Sequence, residues 1–148
     1  MRRGISLVVF VFITMMSLQA QEYKVITTIE SIVPGGLGRS RIIENKSKVD
    51  SKDFTTERTD GKKSGQGKVK RKDIKVDEFA ETKLLNFYSI AGINFRNVAS
   101  NDAVISDRMS QLANDGWSLA FVSSAVESDA GETDGHGIFI TRYIFKRD

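Results

Sequence analysis

The chain has 148 residues, 40% of them apolar, which is enough for one compact domain and too short for two comfortable ones. Charged residues make up 28%, and 22 Lys and Arg against 19 Asp and Glu leave a balance of only +3, which excludes an acidic tail protein and a uniformly basic nucleic-acid binder. The absence of cysteine excludes a disulfide scaffold, a thiolate zinc site, a cysteine nucleophile and an acylated lipoprotein cysteine, and the single histidine excludes a multi-histidine metal centre within one chain.

Residues 1–20 read as an address. Arg2 and Arg3 are followed by the apolar run Ile5 to Ile13, continued by Met15, Met16 and Leu18, and then by Leu18-Gln19-Ala20 with a small last residue. This is the order of a secretory signal peptide with cleavage after Ala20. The alternative, a membrane anchor, is disfavoured because Ser6, Thr14, Ser17 and Gln19 interrupt a stretch that needs about 20 predominantly apolar residues. Removing residues 1–20 leaves 20 basic and 19 acidic side chains, so most of the basic surplus belongs to the address. Residues 21–148 are then expected as a single domain, exported to the periplasm or beyond the cell.

Glu22 to Val33, EYKVITTIESIV, alternates β-branched and polar residues and predicts a strand. Pro34-Gly35-Gly36 ends it. Residues 45–77 differ in kind: apolar residues are few, and Lys, Gly, Ser and Thr fill Asp60 to Lys68. Such a composition cannot bury enough apolar surface to offset its ordering entropy, which predicts a mobile basic insertion. It reads as the tip of a long hairpin with Arg41-Ile42-Ile43 and Ile74-Lys75-Val76 as stems. Charge partitions here, because residues 39–75 hold 13 basic and 6 acidic side chains whereas residues 76–148 hold 6 and 11.

Phe79 to Val98 is apolar again, and its aromatic, alternating centre from Asn86 to Ala91 predicts a strand. Ser100-Asn101-Asp102 offers helix N-caps. Ile105, Met109 and Leu112, widened by Val104 and Ala113, form the apolar stripe of a helix that Gly116 ends. Trp117, Leu119 and Phe121 alternate with Ser118 and Ala120, which predicts a strand into Val122 with Trp117 in the core. An acidic, glycine-rich connection, Glu127 to Gly137, leads to a last strand, Ile138 to Lys146. That strand is apolar on both faces and therefore central. The expected class is α+β: a small antiparallel sheet of about four strands, closed on one face by one main helix, with a long flexible basic loop.

Glu22-Tyr23-Lys24-Val25, then Leu112 to Leu119 as L-x-x-x-GW-x-L, then Phe145-Lys146-Arg147 resemble a bacterial family known only as domain of unknown function 4177. The resemblance covers the two ends of the chain, and the basic segment from Arg39 to Lys75 stands outside it as an insertion. It implies the fold already read and no activity, because the family has none assigned.

Candidate chemistry is sparse. Pro34 to Arg41, PGGLGRSR, could cradle a phosphate, but it lacks the Lys-Ser/Thr ending of a P-loop and reads as a turn. His136 lies between glycines, where a catalytic group is poorly held. Asp129, Glu132 and Asp134 miss the spacing of a calcium loop. Lys68, Lys70, Arg71 and Lys72 form a basic run that could bind phosphates, acidic glycans or anionic headgroups by counterion release. Without interleaved aromatics the run offers no stacking on single-stranded bases. The reading is a non-enzymatic exported domain that implies no cofactor and no metal and works on a protein partner or a surface. The rival is a polyanion-binding module using those four cations. A hydrolase would need two carboxylates at a defined separation, and nothing in the sequence picks out such a pair.

Overall fold

The computed structural model describes residues 21–32, 39–127 and 137–148. The segment read as an address (1–20), the turn expected at Pro34 to Gly38, and Asp129, Glu132, Asp134 and His136 lie outside the described residues.

β1 (Glu22–Ser31), β2 (Arg41–Asn45), β3 (Phe79–Lys83), β6 (Ser118–Val126) and β7 (Ile138–Arg147) form a five-stranded sheet in the order β3-β2-β1-β7-β6. Every neighbouring pair is antiparallel. β4 (Tyr88–Ser89) and β5 (Gly92–Ile93) make a separate two-stranded hairpin. The helices are a single turn, α1 (Arg71–Ile74), and the main helix, α2 (Phe95–Asn114). The class is α+β, as expected, with one sheet strand more than the expected four.

β1 owes its place to its alternation. It pairs with β7 over its whole length, from Glu22 opposite Arg147 to Ser31 opposite Ile138, and with β2 on its other side. Ile26 and Thr28 point to the helix side and are buried, while Tyr23 and Val25 point away and are exposed. β7, apolar on both faces, lies between β1 and β6 as a central strand should. The core consists of Ile26, Ile42, Leu84, Leu112, Trp117 and Phe145, with Val104, Ile105, Met109 and Tyr143 packed against it. Val104, Ile105, Met109 and Leu112 of the expected helical stripe therefore form the face that closes the sheet, whereas Ala113 is exposed.

The end of α2 follows its sequence. Gly116 adopts φ +84°, its N–H donates to Ala113 O at 3.0 Å, and Trp117 N–H donates to Leu112 O at 2.9 Å. That pair of bonds is a Schellman cap, and it needs a residue without Cβ strain. The start differs from expectation. Asn94, not the Ser100–Asp102 group, caps the helix, accepting from Arg96 N–H at 3.1 Å and Asn97 N–H at 3.3 Å. The first turn shows no apolar period because it runs past the core, and Phe95 is 77% exposed. Asn101, read as a cap, is 1% exposed inside the helix. It accepts from Leu85 N–H at 2.8 Å and donates to Leu85 O at 2.7 Å and to Glu30 at 3.0 Å.

Three further expectations are corrected. The strand expected at Asn86–Ala91 shrinks to the two residues of β4, Tyr88–Ser89, in the small β4–β5 hairpin, and the segment's strand in the main sheet is β3. The long hairpin exists, but its second stem is β3, with Arg41 opposite Lys83 and Asn45 opposite Phe79. Ile74 is taken up by α1, so Ile74-Lys75-Val76 cannot serve as the stem. Finally, Trp117 is in the core, but Leu119 is 44% and Phe121 62% exposed. A bulge between Leu119 and Phe121 adds a residue and shifts the alternation, so that Phe121 comes level with Ile144 on the sheet face opposite α2. Leu119 stays on the helix side, opposite Phe145, but is left 44% exposed at the sheet's edge.

Between β2 and β3 the chain makes two 3-10 turns, Ser51–Phe54 and Gln66–Lys68, and then α1, none with a buried residue. A segment so poor in apolar side chains adds hydrogen-bonded turns but no core.

Candidate interaction surfaces

The three motifs singled out in the sequence converge at one end of the sheet. The β1–β7 register sets Glu22 opposite Arg147, and the two form an ion pair. The Schellman corner swings the Trp117 ring under both strands, with Lys24 Nζ 5.0 Å and the Arg147 guanidinium 4.5 Å from its centroid. Two cations on one indole stabilise the corner by about 0.5–2 kcal/mol each, depending on how far they are desolvated. The arrangement fastens the first described strand, the last strand and the end of the helix together.

Lys24 also reaches Glu44, on β2, whose side chain is the hub of a second cluster. Glu44 is 4% exposed. Its Oε1 accepts from Lys24 at 3.3 Å and Lys46 at 3.0 Å, and its Oε2 accepts from Arg108 Nε at 3.1 Å and a terminal guanidinium nitrogen at 2.6 Å. Burial works to raise its pKa, but the hydrogen bonds and charges of Lys46 and Arg108 outweigh that and hold it at about 2. A carboxylate with both oxygens so engaged is a structural anion and a poor general base. Sequence reasoning missed it, because a glutamate two residues after a buried Ile42 carries no sign that it points inward.

The basic insertion brings its candidates together as expected of neighbours in sequence. Lys68 ends a 3-10 turn, Lys70 flanks α1, and Arg71 and Lys72 lie within it. All four are exposed, and none makes an ion pair among the described residues. The insertion is not uniformly basic in space. A cleft of about 330 Å³ is lined by Asp50, Asp53, Asp73, Asp77 and Glu78, with Lys48 and Lys75 as its cations. Of Arg39-Ser40-Arg41, Ser40 is buried, accepting from Ser31 N–H at 2.9 Å and donating to Asn86 at 2.7 Å. Arg41 is committed to Glu81.

The two edges of the sheet contrast. β3, Phe79-Ala80-Glu81-Thr82-Lys83, carries charges that guard it against further pairing. β6, Ser118 to Val126, runs nine residues, SLAFVSSAV, without a charge, a glycine or a proline, and every one of them is exposed. Beside it, on the face opposite α2, Phe121, Ile144 and Val25 make one apolar row across β6, β7 and β1, and Ala125, Ile140 and Ile29 make another.

Among the described residues no helix is long and apolar enough to cross a membrane, and no group of three or more His, Cys, Asp or Glu is placed to hold a metal ion. Compared with protein-family models, curated proteins and solved structures, the chain matches none of them.

Proposed function

We propose that the chain is an exported, non-catalytic α+β domain that works by protein–protein interaction, with β6 and the apolar rows beside it as the contact surface. The observation that carries this reading is the β6 edge: nine uncharged, exposed residues with one side of their backbone unpaired among the described residues. Such an edge recognises an extended segment of a partner by main-chain hydrogen bonds, and its alternating side chains supply selectivity. The opposite edge is charged, so the sheet offers one pairing side. Residues 1–20 support delivery to the periplasm or beyond. The meeting of Glu22, Lys24, Trp117 and Arg147 supports kinship with the domain of unknown function 4177 family, since the shared motifs fall where they brace one corner. The test is a photo-crosslinking amino acid placed singly at Phe121, at Ser110 on the solvent face of α2, and at Lys70. Protein adducts concentrated at Phe121 are expected. Adducts absent from Phe121, or no more frequent there than at Ser110, overturn the reading.

A second reading is favoured by one observation, the four cations Lys68, Lys70, Arg71 and Lys72 on consecutive turns, exposed and without an ion pair among the described residues. These would bind a polyanion weakly, because the acidic cleft within the same insertion offsets part of its field.

A further inference from the structure

We infer that the occupant of the β6 edge is a second copy of this chain, paired antiparallel β6 to β6 about a two-fold axis normal to the sheet. This rests on the reading of β6 as the contact surface and names its partner.

An edge strand can pair with any extended segment, so the choice must come from self-complementarity. β6 has it in three respects. It carries no charge, so antiparallel self-pairing sets no like charges opposite one another. Its part beyond the bulge, Phe121 to Val126, is regular, and an axis at Ser123 or Ser124 sets small hydroxyl side chains at the crowded centre. With the axis at Ser123, Phe121 of each copy lies against Ala125 of the other, large against small, twice.

Charge complementarity supplies the third respect. The Ser118 end of β6 lies beside Lys146 of β7, and the Val126 end runs directly into Glu127. Antiparallel pairing brings Glu127 of each copy toward Lys146 of the other. Parallel pairing would set Glu127 against Glu127 and gather both Lys146 at the other end, away from either Glu127. The axis also keeps both α2 helices on one side of the sheet, so the apolar rows through Phe121 and Ala125 continue unbroken from one copy into the next. The charged β3 edge closes each outer end, and association stops at two.

The chain has no cysteine, so a single introduced one reports without background. Purified protein with Ser123→Cys or Ser124→Cys should oxidise to a disulfide-linked dimer at least about tenfold faster than protein with Thr82→Cys on the β3 edge, because only the former would lie on the axis. Sedimentation of the cysteine-free protein should show a concentration-dependent dimer. Phe121→Lys should weaken that dimer by about tenfold or more while leaving the circular dichroism unchanged, since Phe121 is exposed and outside the core. Equal oxidation rates at the two edges, a monomer at all concentrations, or polymers larger than a dimer would each overturn the inference. If the protein is monomeric yet crosslinks at Phe121 to another protein, only the identity of the partner is wrong. If nothing crosslinks at Phe121, the interaction reading fails as well.

Discussion

Arg108, on the main helix, places two N–H groups on a single carboxylate oxygen of Glu44, one from Nε at 3.1 Å and one from a terminal nitrogen at 2.6 Å. With Lys24 and Lys46 on the other oxygen, the carboxylate ties helix to sheet at the buried face. Its pKa, held at about 2 from an ordinary 4.5, makes folding depend on acid. The folded value lies below the unfolded one, so the stabilisation is complete above about pH 4.5 and is lost as pH falls toward 2. At about 1.4 kcal/mol per pKa unit it amounts to about 3 kcal/mol. Urea unfolding at pH 3, 5 and 7 should show this acid loss in the native chain, and Glu44→Gln should flatten it. An acid slope unchanged by Glu44→Gln would show that other carboxylates carry it.

Trp117 sits in the core beneath Lys24 and Arg147. Trp117→Ala should destabilise the fold by about 3–5 kcal/mol, as truncation of large buried aromatics does. A cost within about 0.5 kcal/mol, the range of surface changes, would place the ring outside the core.

How much of this was legible in the sequence follows from what each residue needed. Ile105, Met109 and Leu112 repeat at the helical period because they meet the sheet, and Gly116 must follow where the backbone turns left-handed. β1 and β7 were legible for the same reason, since alternation and two-sided apolarity reflect which faces are covered. The first turn of α2 was hidden because Phe95 is left largely exposed and faces no core, so no period marks it. β3 was hidden because an edge strand guarded by Glu81 and Lys83 reads like a loop. The exposure of Leu119 and Phe121 was hidden because alternation does not say whether a strand is central, and because a bulge reverses it. Of the candidate surfaces, the basic run was plain in the sequence, whereas the β6 edge became visible only with the strand order.

Asn101 holds Leu85 by both its amide groups and reaches Glu30 as well. Asn101→Leu should orphan the Leu85 N–H and C=O at about 1–3 kcal/mol for each group left buried. Native-state hydrogen exchange is the direct readout, and the Leu85 amide should lose its protection before the strands do. Unchanged protection there would mean that the segment is held by its other contacts.

Replacing Lys68, Lys70, Arg71 and Lys72 together with Gln should leave stability within about 0.5 kcal/mol per site, because none of the four is buried or ion-paired among the described residues. Against a polyanion such as heparin, native protein should bind weakly, with log affinity falling linearly in log salt by about 0.7–0.9 per phosphate-type contact. The quadruple variant should lose most of that slope. Tight binding abolished by the substitutions would promote the polyanion reading above the protein-interaction one.

For the address, mass spectrometry of exported protein should find a new N-terminus near Gln21. Intact Met1 in that fraction would count against cleavage after Ala20.

The sheet order has a consequence in time. β1, the first of the described strands, is bonded along its whole length to β7, and Glu22 waits for Arg147. A ribosome releases these partners at opposite ends of the synthesis of residues 22–147, so the centre of the sheet cannot close until β7 has left the exit tunnel. Pairings of such long sequence separation are entropically costly and slow. The sheet is therefore completed from its two ends of the sequence at once, and its centre is the last part to gain protection as the chain is made.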